Sequence, residues 1–328
     1  MLRIYENIQR DMDIALITPA GAESRYGNRR TAERWAMFLR ELGHAVTIQE
    51  VWDGASADAM ISLHARRSHD SIARYTEAHP ERPLIVALTG TDLYRDIQSD
   101  SDAQESLDLA TRLVVLQEAG FNELEPHHLD KTRVVYQSAV PVERGTPSET
   151  SFDVCVIGHL RPEKDPFRAA LATHLLPTTS RIHVTHAGGA REEKFASEAA
   201  SLMQNNPRYE WIGEVSQEVV RDLLSRAHLL VQSSFMEGGA NTISEALASS
   251  VPIIASDIPG NVGMLGEDYP GYYPAGDEIA LARLLERAET DTDYYNLLKI
   301  QCEALRPLAL PDHEREALRF LIEELVEI

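Results

Sequence analysis

The chain has 328 residues, of which 43% are apolar and 25% charged, with 31 Lys and Arg against 52 Asp and Glu for a formal net charge of −21. This predicts a soluble globular protein of two ordinary domains. It argues against a general nucleic-acid or membrane-surface binder. No apolar run approaches the ~18 residues of a membrane span, and the only cysteines, Cys155 and Cys302, read as reduced packing residues of a cytoplasmic protein.

The first residues, MLRIYENIQRDMD, are polar and lack the apolar stretch of a signal peptide, so a short extension is expected before the first strand. From Asp13, strand-like runs alternate with amphipathic segments: 13–18, 45–51, 59–64, 84–89, 112–117 and 133–137. In RRTAERWAMFLRELG, the residues Ala32, Trp35, Ala36, Leu39 and Leu42 recur at helical spacing, and Gly43 reads as the C-cap. ERGTPSETS (143–151) is poor in apolar residues and reads as a linker. A second alternating set follows at 153–158, 181–188, 209–213, 228–234 and 252–256. The tail from Asp312 is an amphipathic helix with Leu318, Leu321, Ile322 and Leu325 on one face.

Short apolar strands alternating with helices predict α/β architecture, with parallel sheets covered on both faces. The expected division is an N-terminal Rossmann-like domain over 12–145, a second over 151–308, and a C-terminal helix over 309–328. Ligands of such folds gather at the C-terminal ends of the strands. No G-x-G-x-x-G follows the first strand and no G-x-x-x-x-G-K-[ST] occurs, which disfavours a dinucleotide oxidoreductase and a P-loop NTPase.

The stretch MEGGANTISEA (236–246) follows the strand-like HLLVQSS and opens a helix. Gly238 and Gly239 let the backbone approach a ligand closely, and the N–H groups from Gly239 through Ala240 and Asn241 to Thr242 favour a phosphate. Glu245, about one turn into the helix, can accept two hydrogen bonds from a ribose diol, and Glu237 can do the same for sugar hydroxyls. Both glutamates also suit a helix N-terminus with no ligand at all. The loop GHLRPEKDP (158–166) bears on that choice. Arg161 and Lys164 follow a strand of the same domain and can face the glycine turn, where cations would stabilise a departing diphosphate.

Glu237-x7-Glu245, preceded by G-x-L-x-x-E-K from Gly158 to Lys164, resembles the donor domain of retaining GT-B glycosyltransferases. The resemblance implies two Rossmann-like domains facing across a cleft, with the last helix crossing back to the first domain. It also implies that Glu245 binds the ribose, Lys164 the diphosphate and Glu237 the donor sugar. Where that family commonly has Arg after the glycine, this chain has His159, so Arg161 is the candidate to supply the charge. No obligatory metal or other cofactor is implied. Asp100-Ser101-Asp102 is formally a D-x-D, but it stands at a helix start, where Asp and Ser are ordinary caps.

GT-B enzymes bind the acceptor mostly in the first domain. Its strand ends carry Arg25, Gly27, Asn28, Arg29 and Arg30, then His64, Arg66 and Arg67, then Thr89, Thr91 and Asp92. Guanidinium groups crowded at one sheet edge suit a small anionic acceptor, although loop arginines also serve simply as solubilising surface. SRYGNRRTAERW, LHARRSHDSIARY, LTGTDLYRDI, VYQSA and GHLRPEKDPFRAA together resemble the selenosugar synthases of selenoneine biosynthesis, over about residues 13–325. That resemblance implies carbon–selenium bond formation between a UDP-sugar, such as UDP-N-acetylglucosamine or UDP-glucose, and selenophosphate. It also implies a functional link to a selenophosphate synthetase and a selenoneine synthase. Arg25, Arg29, Arg66 and His64 are the expected acceptor contacts. An ordinary glycosyltransferase acting on a hydroxyl, and a non-catalytic nucleotide-sugar binder, are the alternatives.

Overall fold

The computed structural model describes residues 11–22 and 27–326. The chain forms two compact units. One runs up to Val135 and takes the chain back from Glu314; the other is Tyr136–His313.

The first unit holds six parallel strands: β1 (Asp13–Ile17), β2 (Ala45–Gln49), β3 (Ala59–Leu63), β4 (Leu84–Leu88), β5 (Arg112–Val115) and β6 (Thr132–Val134), in the order β2-β1-β3-β4-β5-β6. Every residue of β3 and β4 is buried, because helices cover both faces. Successive side chains of a strand point to opposite faces. Ile14, Leu16, Ile85 and Ala87 join Trp35, Phe38 and Leu39 of the helix Gly27–Glu41 on one face. Ala15, Ile17, Val86 and Leu88 join Ile72 and Tyr75 of the helix His69–Ala78 on the other.

The last helix, Pro311–Val326, adds Leu318, Leu321, Ile322 and Leu325 to the first of these clusters. Its Glu314 is 0% exposed and accepts hydrogen bonds from Arg34 Nε (2.6 Å), Arg34 Nη2 (3.1 Å) and Trp35 Nε1 (2.7 Å). A buried carboxylate is tolerable only with such partners, and removing it strands the guanidinium that faces it. Glu314→Ala should therefore destabilise the first unit by about 3–5 kcal/mol. Glu314→Gln, which keeps the acceptor for Trp35, should cost less, and denaturant unfolding of the two variants checks the difference.

The second unit holds β7 (Phe152–Ile157), β8 (Ile182–Ala187), β9 (Tyr209–Trp211), β10 (Leu229–Gln232), β11 (Ile253–Asp257) and β12 (Tyr272–Pro274), in the order β12-β11-β10-β7-β8-β9. All neighbours are again parallel. The short edge strand β12 was not anticipated, since Tyr-Tyr-Pro has neither the length nor the alternation of a strand. The stretch read as a linker over 143–151 instead begins bound to this unit. Arg144 donates to the carbonyls of Leu224 and Ala227, and the Gly145 N–H donates to that of Ser225, at the end of the helix Gln217–Arg226. The division falls upstream, between Val135 and Tyr136. Cys155 and Cys302 are buried free thiols, and burial pushes them up to about 12 and about 11 respectively, which keeps both protonated at neutral pH.

Chain direction across each sheet reverses at one place, between β1 and β3 in the first unit and between β7 and β10 in the second. A crevice opens at such a switch point beyond the strand C-termini.

Candidate active site

In the second unit the loops after β7 and β10 start side by side, because the two strands pair. They are stitched together by backbone. The Phe235 N–H donates to the Glu163 carbonyl (2.8 Å), and Ser233 Oγ donates to the carbonyls of Lys164 (3.1 Å) and Asp165 (2.9 Å). This brings the Lys164 ammonium onto Oε1 of Glu237. Gln232 Nε2 (2.7 Å) and Ser234 Oγ (2.5 Å) donate to the same oxygen. Glu237 is 8% exposed, and among the described residues Oε2 receives no hydrogen bond. One oxygen is thus locked by three donors, while the other remains an acceptor aligned by that lock.

Gln232 and Ser234 were missed in the sequence. Gln232 also accepts from Thr242 Oγ1 (2.8 Å), so its side chain ties the Glu237 carboxylate to the first turn of the helix Asn241–Ala248. Gly260, in the first turn of the helix Pro259–Leu265 that follows β11, lies against the Glu237 backbone so closely that a Cβ there would sit 1.9 Å from the Glu237 carbonyl oxygen. Gly238 and Gly239 lie in the turn before the helix Asn241–Ala248, whose N-cap is Ala240. The Ala240 N–H, however, points to Met264 Sδ (3.2 Å) and is not available to a phosphate, which leaves that role to its neighbours. Glu245 is half-buried and accepts from Gln217 Nε2 (3.3 Å). The Arg161 Nε is buried and has no hydrogen-bond partner among the described residues.

Gly158 and His159 are built into the loop rather than left open. His159 Nδ1 accepts from the Gly189 N–H (3.1 Å), and its Nε2 lies 2.7 Å from Arg191 Nη2. A cation therefore stands near the position where an Arg was missing, supplied from the turn after β8 with no local sequence signal. The Gly158 carbonyl accepts from His186 Nε2 (3.0 Å), and His186 Nδ1 accepts from the Tyr209 hydroxyl (3.0 Å), which sets the tautomer. Burial pushes His186 down to about 4. Between its ordinary value of 6.5 and about 4, the unfolded chain takes up a proton that the folded chain refuses, so stability is lost as pH falls through this window. The loss should reach ~3 kcal/mol by pH 4. Thermal unfolding of the second unit from pH 7 to 4.5 should show this slope, and His186→Phe should flatten it.

In the first unit, the loops after β3 and β4 carry a buried charge network. Asp92 is 0% exposed, and its two oxygens accept from the N–H groups of Ala65 (3.0 Å), Thr89 (2.9 Å) and Gly90 (2.9 Å). These bonds brace the loop after β3 against the loop after β4. His64, with a left-handed φ of 75°, contacts Thr91 Oγ1 through Nε2 (3.0 Å) and accepts from the Arg67 N–H through Nδ1 (3.4 Å). Burial outweighs Asp92 and Asp96 and pushes its imidazole below the ordinary value, so at neutral pH it is an uncharged positioning group rather than a cation for an anion. Arg66 Nε (2.8 Å) and Arg95 Nε (3.0 Å) donate to Asp96. Burial pushes the Asp96 carboxyl up, but those bonds outweigh it and hold the group below its ordinary value. Arg29 Nε pairs with Glu33 (2.7 Å). Gly27 and Asn28 open the first helix, Thr89 and Thr91 are partly exposed, and Arg25 lies outside the described residues. Asp100 caps the helix Ser101–Leu109 by accepting from the Ala103 N–H (3.0 Å).

Two doubly wound parallel-sheet units of this topology define the GT-B class of fold. Residues 143–302, nearly all of the second unit, match the family of glycosyl transferases group 1. The chain is 23% identical to glycosyltransferase 1 domain-containing protein 1 of Xenopus tropicalis, across 75% of this chain and 79% of that one. HepE from Anabaena, solved with UDP and glucose, superposes with a TM-score of 0.75 at 14% identity, covering 97% of this chain and 100% of that one. Sucrose-phosphate synthase from Thermosynechococcus elongatus superposes with a TM-score of 0.76 at 14% identity, covering 96% and 99%. Among the described residues no helix is long and apolar enough to cross a membrane.

Proposed function

We propose that the protein transfers a sugar from a UDP-sugar to selenophosphate, forming a selenosugar. Selenium bonds to the anomeric carbon as the carbon–oxygen bond to UDP breaks, and that electron pair leaves on the diphosphate; water then cleaves the phosphorus–selenium bond, releasing inorganic phosphate and the selenosugar. The observation that carries the donor half is the Glu237 carboxylate, held at one oxygen by Lys164, Gln232 and Ser234. In this reading its second oxygen takes a sugar hydroxyl, and Glu245 takes the ribose diol. Lys164 and Arg161 stabilise the departing diphosphate beside the Gly238–Thr242 turn. Selenium is a soft, easily ionised nucleophile that needs little general-base help, so leaving-group stabilisation supplies most of the catalysis, without an obligatory metal.

The acceptor half rests on the resemblance of the first-domain loops to selenosugar synthases and on Arg25, Arg29 and Arg66. UDP-N-acetylglucosamine or UDP-glucose is the proposed donor. A selenophosphate synthetase would supply the acceptor, and a selenoneine synthase would use the product. Purified protein given UDP-N-acetylglucosamine and selenophosphate should release UDP and yield a selenium-bearing sugar by mass spectrometry. One observation favours a second reading, transfer to a hydroxyl: Arg29 and Arg66 already pair with Glu33 and Asp96, which reduces the positive charge they offer an anion. UDP release that requires an alcohol acceptor and ignores selenophosphate would decide for that reading.

A further inference from the structure

At the edge of the first sheet where β5 and β6 begin, two connections bring a set of metal-ligating side chains together. The helix Ser101–Leu109 ends just before β5, and the short helix Pro126–Leu129 stands just before β6. Asp108 Oδ1 lies 3.7 Å from His127 Nε2 and 3.5 Å from His128 Nε2. One ligand atom from each of the three residues falls within 4.8 Å of the other two. A tetrahedral ion with bonds of ~2.0–2.1 Å sets its ligand atoms about 3.4 Å apart. The two measured separations therefore need to close by only a few tenths of an ångström.

A second observation comes from His128 itself. The residue is 5% exposed, and its Nδ1 is buried with no hydrogen-bond partner among the described residues. Its Nε2 faces Asp108 at 3.5 Å, beyond an ordinary hydrogen bond. A buried imidazole without a hydrogen bond is uncommon and calls for an explanation. With Nδ1 carrying the ring proton, the Nε2 lone pair faces Asp108 and is free to bind a metal. The helix Ser101–Leu109 ends beside the site, but Lys131 caps its C-terminal carbonyls, so the attraction for a cation comes from the Asp108 carboxylate. Lys131 already occupies carbonyls there, donating to those of Leu107 (2.7 Å), Asp108 (3.3 Å) and Ala110 (2.9 Å), which leaves the Asp108 carboxylate to the two imidazoles.

We propose that Asp108, His127 and His128 bind one zinc ion, with water completing the coordination. Two imidazoles and one carboxylate suit a borderline d-block ion, whereas magnesium and calcium prefer all-oxygen shells. Asp108 and His127 are exposed, so the site is open to ion and water. It lies where the strands begin, at the opposite edge of the sheet from the loops of His64 and Thr91. The ion is therefore a tether between two connections of the first unit and takes no part in sugar transfer.

The test uses the untagged full-length chain, stripped with chelator and titrated with Co2+ as a spectroscopic probe, then with Zn2+. One Co2+ per chain should bind with the intense visible absorption of tetrahedral coordination, and Zn2+ but not Mg2+ should displace it. Zn2+ should also raise the unfolding temperature of the wild-type chain. Asp108→Asn and His127→Ala, both at exposed positions that the fold does not need, should each weaken binding on the order of tenfold or more and abolish the thermal shift. Two results would overturn the proposal: no Co2+ absorption at stoichiometric metal, or unchanged affinity and spectrum in both variants.

Discussion

Lys164→Ala should lower the turnover number for UDP release by about 10²–10³-fold, the typical cost of removing one preorganised group that stabilises charge developing in the transition state. Lys164 has one role in the structure and a second in the proposed mechanism, and the two must be separated. In the free protein its ammonium is the counter-charge of the buried Glu237, at the oxygen shared with Gln232 and Ser234. Removing it leaves a carboxylate with neutral donors only, and breaking a buried pair from one side costs up to ~3–5 kcal/mol. Lys164 is itself partly exposed, so solvent should reduce that figure. The double variant Lys164→Ala/Glu237→Gln removes both charges and should regain most of the lost stability. It should not regain turnover, because the diphosphate still lacks its cation. Turnover of Lys164→Ala within a few-fold of wild type would exclude the assigned role, whatever happened to stability.

Gly260→Ala should be one of the two most damaging single-methyl additions in the second unit, the other being Gly188→Ala. The added Cβ would meet the Glu237 carbonyl oxygen at 1.9 Å and its carbonyl carbon at 2.8 Å. These are backbone atoms, so no side-chain rotation relieves the clash and the loop after β10 must move. Overpacking of this kind costs ~1–3 kcal/mol. A shift of ~1 Å in a group that positions substrate can cost ~10²-fold in rate. Gly158→Ala is the control, since a Cβ there would touch only Lys164 Cδ, at 4.0 Å. Melting temperature and steady-state UDP release of the two variants form the test. Equal behaviour would contradict the account of the Glu237 loop.

That contrast marks what could be read along the chain. Gly158 attracts attention because it ends an apolar strand next to a charged loop, yet the crowding in this region falls on Gly188, where a Cβ would meet the Gly158 carbonyl oxygen at 1.8 Å. Gly188 and Gly260 become indispensable only when a second segment packs on them. The partners of Glu237 show the same limit. Lys164 was legible because it follows a strand within a recognisable motif. Gln232, though only five residues from Glu237, looked like the end of a strand until its amide was seen to bridge Glu237 and Thr242. In the first unit, the loop arginines were visible but their acid partners were not. Asp96 receives Arg66 and Arg95, and Glu33 receives Arg29, so part of a cluster read as positive is already paired.

By itself the sequence determined the two alternating β/α sets, the parallel sheets, the loops that gather at strand C-termini and the Glu237–Glu245 stretch. Each of these depends on local periodicity or on spacing along one element. Only the tertiary structure decided which oxygen of Glu237 is occupied, which arginines are paired, that Asp92 is a brace and His64 an uncharged ring, and that Asp108 meets His127 and His128. These are properties of hydrogen bonds, ion pairs and burial between segments far apart in the chain, and their energies depend on separation in space.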